Sequence, residues 1–168
     1  MELRKTTEQD IPRAMEIIRA AQRYFREANI YQWVNNYPNE EIIKEDISKD
    51  YSYVLVHEGK IAATAAVAFD GESTYEKIYE GNWITDGEYA VIHRIAVAEE
   101  LKGQGVASEV LKKVEELCRE RQVNSIKIDT HEDNKSMQRL LEKNGFVYCG
   151  IIYLESGSKR IAFEKLIL

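Results

Sequence analysis

Lys102-Gly103-Gln104-Gly105-Val106-Ala107 is a glycine-rich turn between an apolar run, Ala90 to Ala98, and an amphipathic stretch opening near Gln104. The first turn of a helix leaves backbone N–H groups without partners, and glycine lets a bulky anion approach them. A strand-turn-helix junction of this kind makes a pocket for pyrophosphate, although ordinary connections share the pattern. His131-Glu132-Asp133 contains metal-ligating residue types. Its neighbours alternate faces and no second histidine falls at ligand spacing, so a surface or helix-capping role is expected, and no metal. Cys118 and Cys149 lack the paired spacing of a metal or redox site and read as buried small hydrophobes. No Ser-His-Asp set, paired carboxylates or Gly-Lys-Ser/Thr phosphate motif stands out.

These residues need a scaffold, and 168 residues suffice for one domain, 1–168, with a core that needs no disulfide. The N-terminus is polar and no apolar run approaches membrane-spanning length, which gives the expectation of a soluble cytoplasmic protein. The net charge of -6 disfavours nucleic acid and anionic membrane as partners and mildly favours a cationic one.

Glu2 to Thr6 reads as a first strand, and Thr7 with Asp10 as a capping box opening a helix that reaches Glu27. Ile42, Ile43 and Ile47 recur at helical spacing in an acidic segment ending near Asp50. Tyr51 to His57 and Lys60 to Phe69, joined by Glu58-Gly59, form an antiparallel hairpin. Asp70 to Glu88 reads as a long, partly helical excursion. Ala90 to Ala98 is a strand, followed by a helix with Val106, Val110, Leu111, Val114, Leu117 and Cys118 on one face. Asn124 to Thr130 is a strand, and Asn134 to Asn144 a helix stopped by Gly145. Phe146 to Leu154 and Ile161 to Leu166 are closing strands. Strand-helix-strand-helix order gives a parallel crossover and an α/β (α+β) fold.

In this order of elements the chain resembles the GNAT superfamily of acyl-coenzyme A-dependent N-acyltransferases over nearly its whole length. Ile95-Ala96-Val97 followed by Lys102 to Ala107 is similar to the family's pyrophosphate loop R/Q-x-x-G-x-G/A, with Lys102 where arginine or glutamine is usual. Asn134-Lys135-Ser136-Met137, continuing to Lys143-Asn144-Gly145-Phe146, is similar to the family's asparagine-helix-glycine-phenylalanine segment. The resemblance implies a mixed central sheet of about six or seven strands flanked by helices, with splayed central parallel strands. It also implies acetyl-CoA as donor, an amine of a small molecule or peptide as acceptor, and a homodimer. Ile95, Ala96 and Val97 would pair with the pantetheine arm as an added strand does. Lys102, Gly103, Gln104, Gly105, Val106 and Ala107 would hold the pyrophosphate, and Asn134 would belong to the same cofactor site.

Acyl transfer to an alkylamine gains from deprotonation, since an amine with pKa ~10.4 is neutral in only about one molecule in 2,500 at pH 7. His93, on the face of Ile95 and Val97 by period-two alternation, is the candidate base; a core histidine bonded between layers is the alternative. Where the family commonly carries a tyrosine acid this chain has Leu141, which leaves Tyr148 and Tyr153 as replacement candidates or packed sheet aromatics. The lost tyrosine also motivates an alternative, a coenzyme A-binding sensor without turnover. The resemblance further implies that the irregular regions carrying Tyr31, Trp33, Tyr37, Tyr75, Tyr79 and Trp83 wall the acceptor pocket. Aromatic walls suit an apolar or cationic amine.

Overall fold

The computed structural model describes residues 1–168. The order is β1 (Glu2–Lys5), α1 (Ile11–Glu27), α2 (Glu40–Ser48), β2 (Ser52–His57), β3 (Lys60–Ala68), β4 (Ala90–Val97), α3 (Val106–Arg121), β5 (Ser125–Thr130), α4 (Lys135–Lys143), β6 (Val147–Tyr153) and β7 (Lys159–Leu166). The strands make one mixed sheet in the order β1-β2-β3-β4-β5-β7-β6, the α/β architecture expected. No helix is long and apolar enough to cross a membrane. The chain divides into two compact units, residues 1–67 with 93–113, and 68–92 with 114–168.

In the first unit, the helical spacing of α1 buries Ile11, Ala14, Met15, Ile17 and Ile18. Ile11, Met15 and Ile18 pack on Ile43 of α2, while Ile17 packs on Ala96 and Ala98 at the end of β4. Full burial of such a side chain stabilises by about 1.5–3 kcal/mol. The register of the β2–β3 hairpin runs from Ser52↔Ala66 to His57↔Lys60.

The turn into α1 is fixed as the Thr7/Asp10 spacing suggests. The Thr7 N–H donates to Asp10 Oδ2 at 2.8 Å, and Arg4 donates to both Asp10 oxygens, at 2.7 and 3.0 Å. The hydrogen bond from Arg4 leads in holding the Asp10 carboxyl down at about 2. Because that value is depressed from ~3.9, the stabilisation is present above pH ~4 and is lost as pH falls toward the folded value. Asp10→Asn is expected to flatten the acid limb of a stability-versus-pH curve in that window; an unchanged limb would refute this origin.

Helix α3 supplies the crossover to a parallel β4–β5 register at Ala90↔Ile126 and Val91↔Lys127. Helix α3 begins at Val106, two residues after the sequence expectation near Gln104, because Gly103 and Gly105 hold left-handed turns that a helix excludes. The crossover does not repeat. β7 inserts antiparallel between β5 and β6, so the return through α4 lands two strands away.

The excursion from Asp70 to Glu88 contains one short 3-10 turn, Ser73–Tyr75, and a bridge in which Tyr79 and Ile151 exchange N–H···O bonds at 2.8 Å. Close approach there requires glycine: a Cβ on Gly81 would lie 1.9 Å from the Cys149 carbonyl oxygen, and one on Gly150 2.6 Å from that of Tyr79.

Candidate functional site

The end of β4 leads into the glycine turn through a 3-10 segment, Glu99–Leu101. Leu101 packs with the Ile17, Ala96 and Ala98 cluster, and ion pairs tie the segment to α1, Arg13 to Glu100 at 2.5 Å and Arg23 to Glu99 at 3.5 Å. The carbonyls of Glu99 and Leu101 accept from the N–H groups of Lys102 and Gln104, each at 3.3 Å. Gly103 and Gly105 then take φ of +79° and +78°, and a Cβ added at either would meet nothing within 4 Å. The φ values demand glycine, and the space above the loop is open to a ligand. In the first turn of α3, the N–H groups of Val106 and Ala107 have no acceptor four residues back within the helix. The loop therefore offers an electropositive backbone surface at a helix start. Lys102 Nζ lies 4.4 Å from the centroid of the Tyr24 ring, so part of its charge is spent on a cation-π contact.

Within β4, His93 and Ile95 are half-buried and Ala96 is buried. Between them Arg94 adopts φ +53°, a left-handed conformation that a non-glycine residue takes at a cost of about 1–2 kcal/mol. Strict two-residue alternation does not run through such a residue, so the shared face inferred for His93, Ile95 and Val97 does not follow from spacing. The Arg94 side chain is anchored elsewhere: Nε and Nη2 donate to the two Asp46 carboxylate oxygens at 2.8 and 2.7 Å, and Nη1 donates to the Tyr37 hydroxyl at 3.0 Å. Asp46 is a buried residue of α2. Arg94, lying between His93 and Ile95, was given no role from the sequence, and no motif marked Asp46; the nearest signal for Asp46 was an acid at a helical position that the Ile43 stripe turns toward the core.

The candidate aromatics divide. In the first unit, Tyr31 is exposed, whereas Trp33 is half-buried, packs edge-on to Phe25 and touches both clusters around α1. In the second, Tyr75 is buried with Val91, Ile152 and Ala162, and its hydroxyl donates to Asp129 at 2.6 Å. Burial foremost, then the Asp129 charge, pushes its phenol well above the ordinary range. Trp83 packs on Tyr75 at 5.2 Å and donates from Nε1 to the Tyr75 carbonyl at 2.8 Å. Tyr79 lies apart, exposed and edge-on to Tyr153.

Two charged residues missed by the sequence reading hold that segment. Glu164 of β7, fully buried, accepts from the N–H of Ile84 at 2.7 Å, from the Thr85 N–H and hydroxyl at 3.4 and 2.6 Å, and from the Ser125 hydroxyl at 2.7 Å. Its register partner Lys127, also buried, donates to the Thr85 carbonyl at 3.2 Å, with Nζ 4.4 Å from the Trp83 ring centroid and 4.1 Å from that of Tyr89. Burial lowers the Lys127 ammonium below its usual range.

Tyr148 and Tyr153 are exposed on β6, an edge strand separated from β5 by β7; Tyr148 packs edge-on to Phe163. Asn134 is buried, and its Oδ1 caps α4 by accepting from the Met137 N–H at 3.1 Å. Leu141 is fully buried in the core. His131 Nδ1 accepts from the Asp133 N–H at 3.0 Å in the turn that precedes α4, whose N-cap is Asn134. At the C-terminal end of β5 the buried Thr130 hydroxyl has no hydrogen-bond partner, an orphan polar atom of the kind a ligand satisfies. Burial raises both thiols, Cys118 to about 11. Neither is a ready thiolate.

The profile of the Acetyltransferase (GNAT) family matches residues 14–146. Among solved structures, a GNAT-family acetyltransferase from Streptococcus agalactiae 2603 is 33% identical, covers 98% of this chain and 94% of its own, and superposes with a TM-score of 0.90. A protein from Staphylococcus aureus Mu50 is 27% identical over the full length of both chains with a TM-score of 0.74. The ribosomal-protein-S18-alanine N-acetyltransferase of Escherichia coli shares the fold at 18% identity, with a TM-score of 0.66 over 99% of this chain and 93% of its own. No curated protein matches. With the family profile spanning most of the sequence and a relative superposing along almost all of it, the chain belongs to the GNAT acetyltransferase family.

Proposed function

We propose that residues 1–168 form one N-acetyltransferase domain that transfers an acetyl group from acetyl-coenzyme A to a primary amine of a small molecule or peptide. The observation that carries this reading is the left-handed Gly103/Gly105 turn, open above and running into the first turn of α3. It fits a pyrophosphate, because several convergent N–H groups supply what the helix dipole alone, about 0.3–1 kcal/mol, cannot. The bound donor supplies a thioester activated toward nucleophiles.

The remaining work falls to residues of this chain. The extended backbone of Ile95 to Val97 offers N–H and C=O groups to the amide-bearing arm of the donor, with an N–H near the thioester carbonyl oxygen. The neutral amine attacks the carbonyl carbon, and His93 takes its proton directly or through a water. The C–S bond breaks, and the departing thiolate takes its proton from solvent, since Leu141 offers none. The exposed Tyr31 suits an apolar or cationic acceptor. The raised thiols argue for direct transfer without an acyl-cysteine.

Calorimetric titration tests the donor site: micromolar binding of coenzyme A with much weaker binding of ATP is expected, and equal affinity for both would contradict the pyrophosphate-and-pantetheine assignment. For the base, His93→Gln is expected to lower kcat/KM about 100-fold near neutrality. An unchanged rate would eliminate the role.

A further inference from the structure

The least economical feature of the first unit is Arg94. It sits inside a strand, between the candidate base and the first residue of the donor-pairing segment, in a conformation that glycine or asparagine would adopt more readily. Residues held in sparsely populated backbone regions persist where the surroundings over-determine them. The over-determination is visible. Asp46 grips the guanidinium with a two-pronged pair, both side chains largely out of solvent at 16% and 7% exposure, and Tyr37 takes the third nitrogen.

Asp46 is itself fixed. It lies one turn of α2 from Ile43, which is packed against Ile11, Met15 and Ile18, and its carbonyl accepts from the Tyr51 N–H at 2.8 Å. A rigid carboxylate therefore holds a planar fork, and the fork holds a left-handed residue. A bidentate arginine–carboxylate pair fixes orientation as well as distance. Turning one residue to φ +53° re-aims the peptide groups on either side of it. Those groups lead to the His93 side chain and to the Ile95 N–H.

We propose that Asp46 and Tyr37 are positioning residues for acyl transfer: through the Arg94 side chain they hold the left-handed residue in β4 that sets the direction of His93 and of the Ile95 N–H. The inference rests on the reading that acyl transfer takes place along β4. It assigns no contact with the substrate to any of the three side chains. Their effect is on kcat, because geometry at the reacting atoms changes while the Gly103/Gly105 loop does not.

Steady-state kinetics and thermal melting of wild type, Asp46→Ala, Arg94→Ala/Asp46→Ala and Tyr37→Phe provide the test, with thiol release from acetyl-coenzyme A in the presence of an amine panel as the readout. Asp46→Ala is expected to lower kcat about 30-fold or more with KM for acetyl-coenzyme A within about twofold, because misplacing a reacting group by an ångström costs on the order of 100-fold. It also lowers Tm by leaving Arg94 unpaired. The double variant removes the orphaned charge and regains Tm, yet its kcat stays low. A purely structural pair would restore both together, and that result overturns the proposal. Tyr37→Phe loses only a hydroxyl at a half-exposed ring, so its fold is retained; kcat about 3- to 10-fold lower at constant Tm is expected, and an unchanged kcat counts against the proposal. Wild type that binds coenzyme A but releases no thiol with any amine overturns the acyl-transfer reading itself, and the proposal with it.

Discussion

Gly105→Val is expected to weaken coenzyme A binding about 100-fold or more, roughly 2.7 kcal/mol, while costing about 1–3 kcal/mol of fold stability. The cause is conformational, because the added Cβ would meet no neighbour within 4 Å. A β-branched residue is strained at φ +78°, so the loop must leave its left-handed turn, and the N–H groups at the start of α3 lose their common direction. Lys102→Ala serves as the contrast. Its ammonium already rests over the Tyr24 ring, and a point charge at the surface is screened, so about a threefold loss is expected. If the lysine variant lost more affinity than the glycine variant, the backbone would not be the main anion ligand. Titration calorimetry of the two variants at one salt concentration measures the ordering.

Glu164→Ala is the second large effect, and it acts on stability. The carboxylate is fully buried and satisfies the N–H groups of Ile84 and Thr85 and the hydroxyls of Thr85 and Ser125. Removing it orphans those donors and strips the buried Lys127 of its register partner's charge, for an expected loss of about 3–5 kcal/mol. Glu164→Gln keeps the shape and an acceptor but not the charge, and should cost less. The order Ala, then Gln, then wild type in urea midpoint is the expected outcome; an alanine variant within about 1 kcal/mol of wild type would show that Glu164 does not anchor the segment. Because Thr85 is bonded by Glu164 and Lys127 together, the segment beside Trp83 is pinned to β5 and β7.

What the residues foretold, and what they did not, follows from the range of the interactions. Helix α1 and the β2–β3 hairpin were legible because a 3.6-residue stripe and a two-residue turn are local patterns. The glycine turn was legible for the same reason, although its left-handed residues delay α3 to Val106. The Arg94–Asp46 pair joins residues 48 apart in sequence, and nothing in an arginine's identity announces a positive φ. Lys127 between Ile126 and Ile128 reads as the solvent face of a half-buried strand. It is buried because Trp83 and Tyr89 cover it, which only the tertiary path of the excursion reveals. The burial of Tyr75 was hidden on the same account: an aromatic in an irregular segment looks alike whether it is exposed or, as here, packs into the core with its hydroxyl on Asp129.

The central claim is turnover with an amine, and the most direct measurement follows free thiol and acetylated product together when the protein is mixed with acetyl-coenzyme A and a panel of primary amines. Thiol release that requires the amine and matches acetylated amine one for one is the predicted result. Coenzyme A binding with no thiol release across the panel, or an amine-independent burst that leaves the acetyl group on the protein, would contradict it.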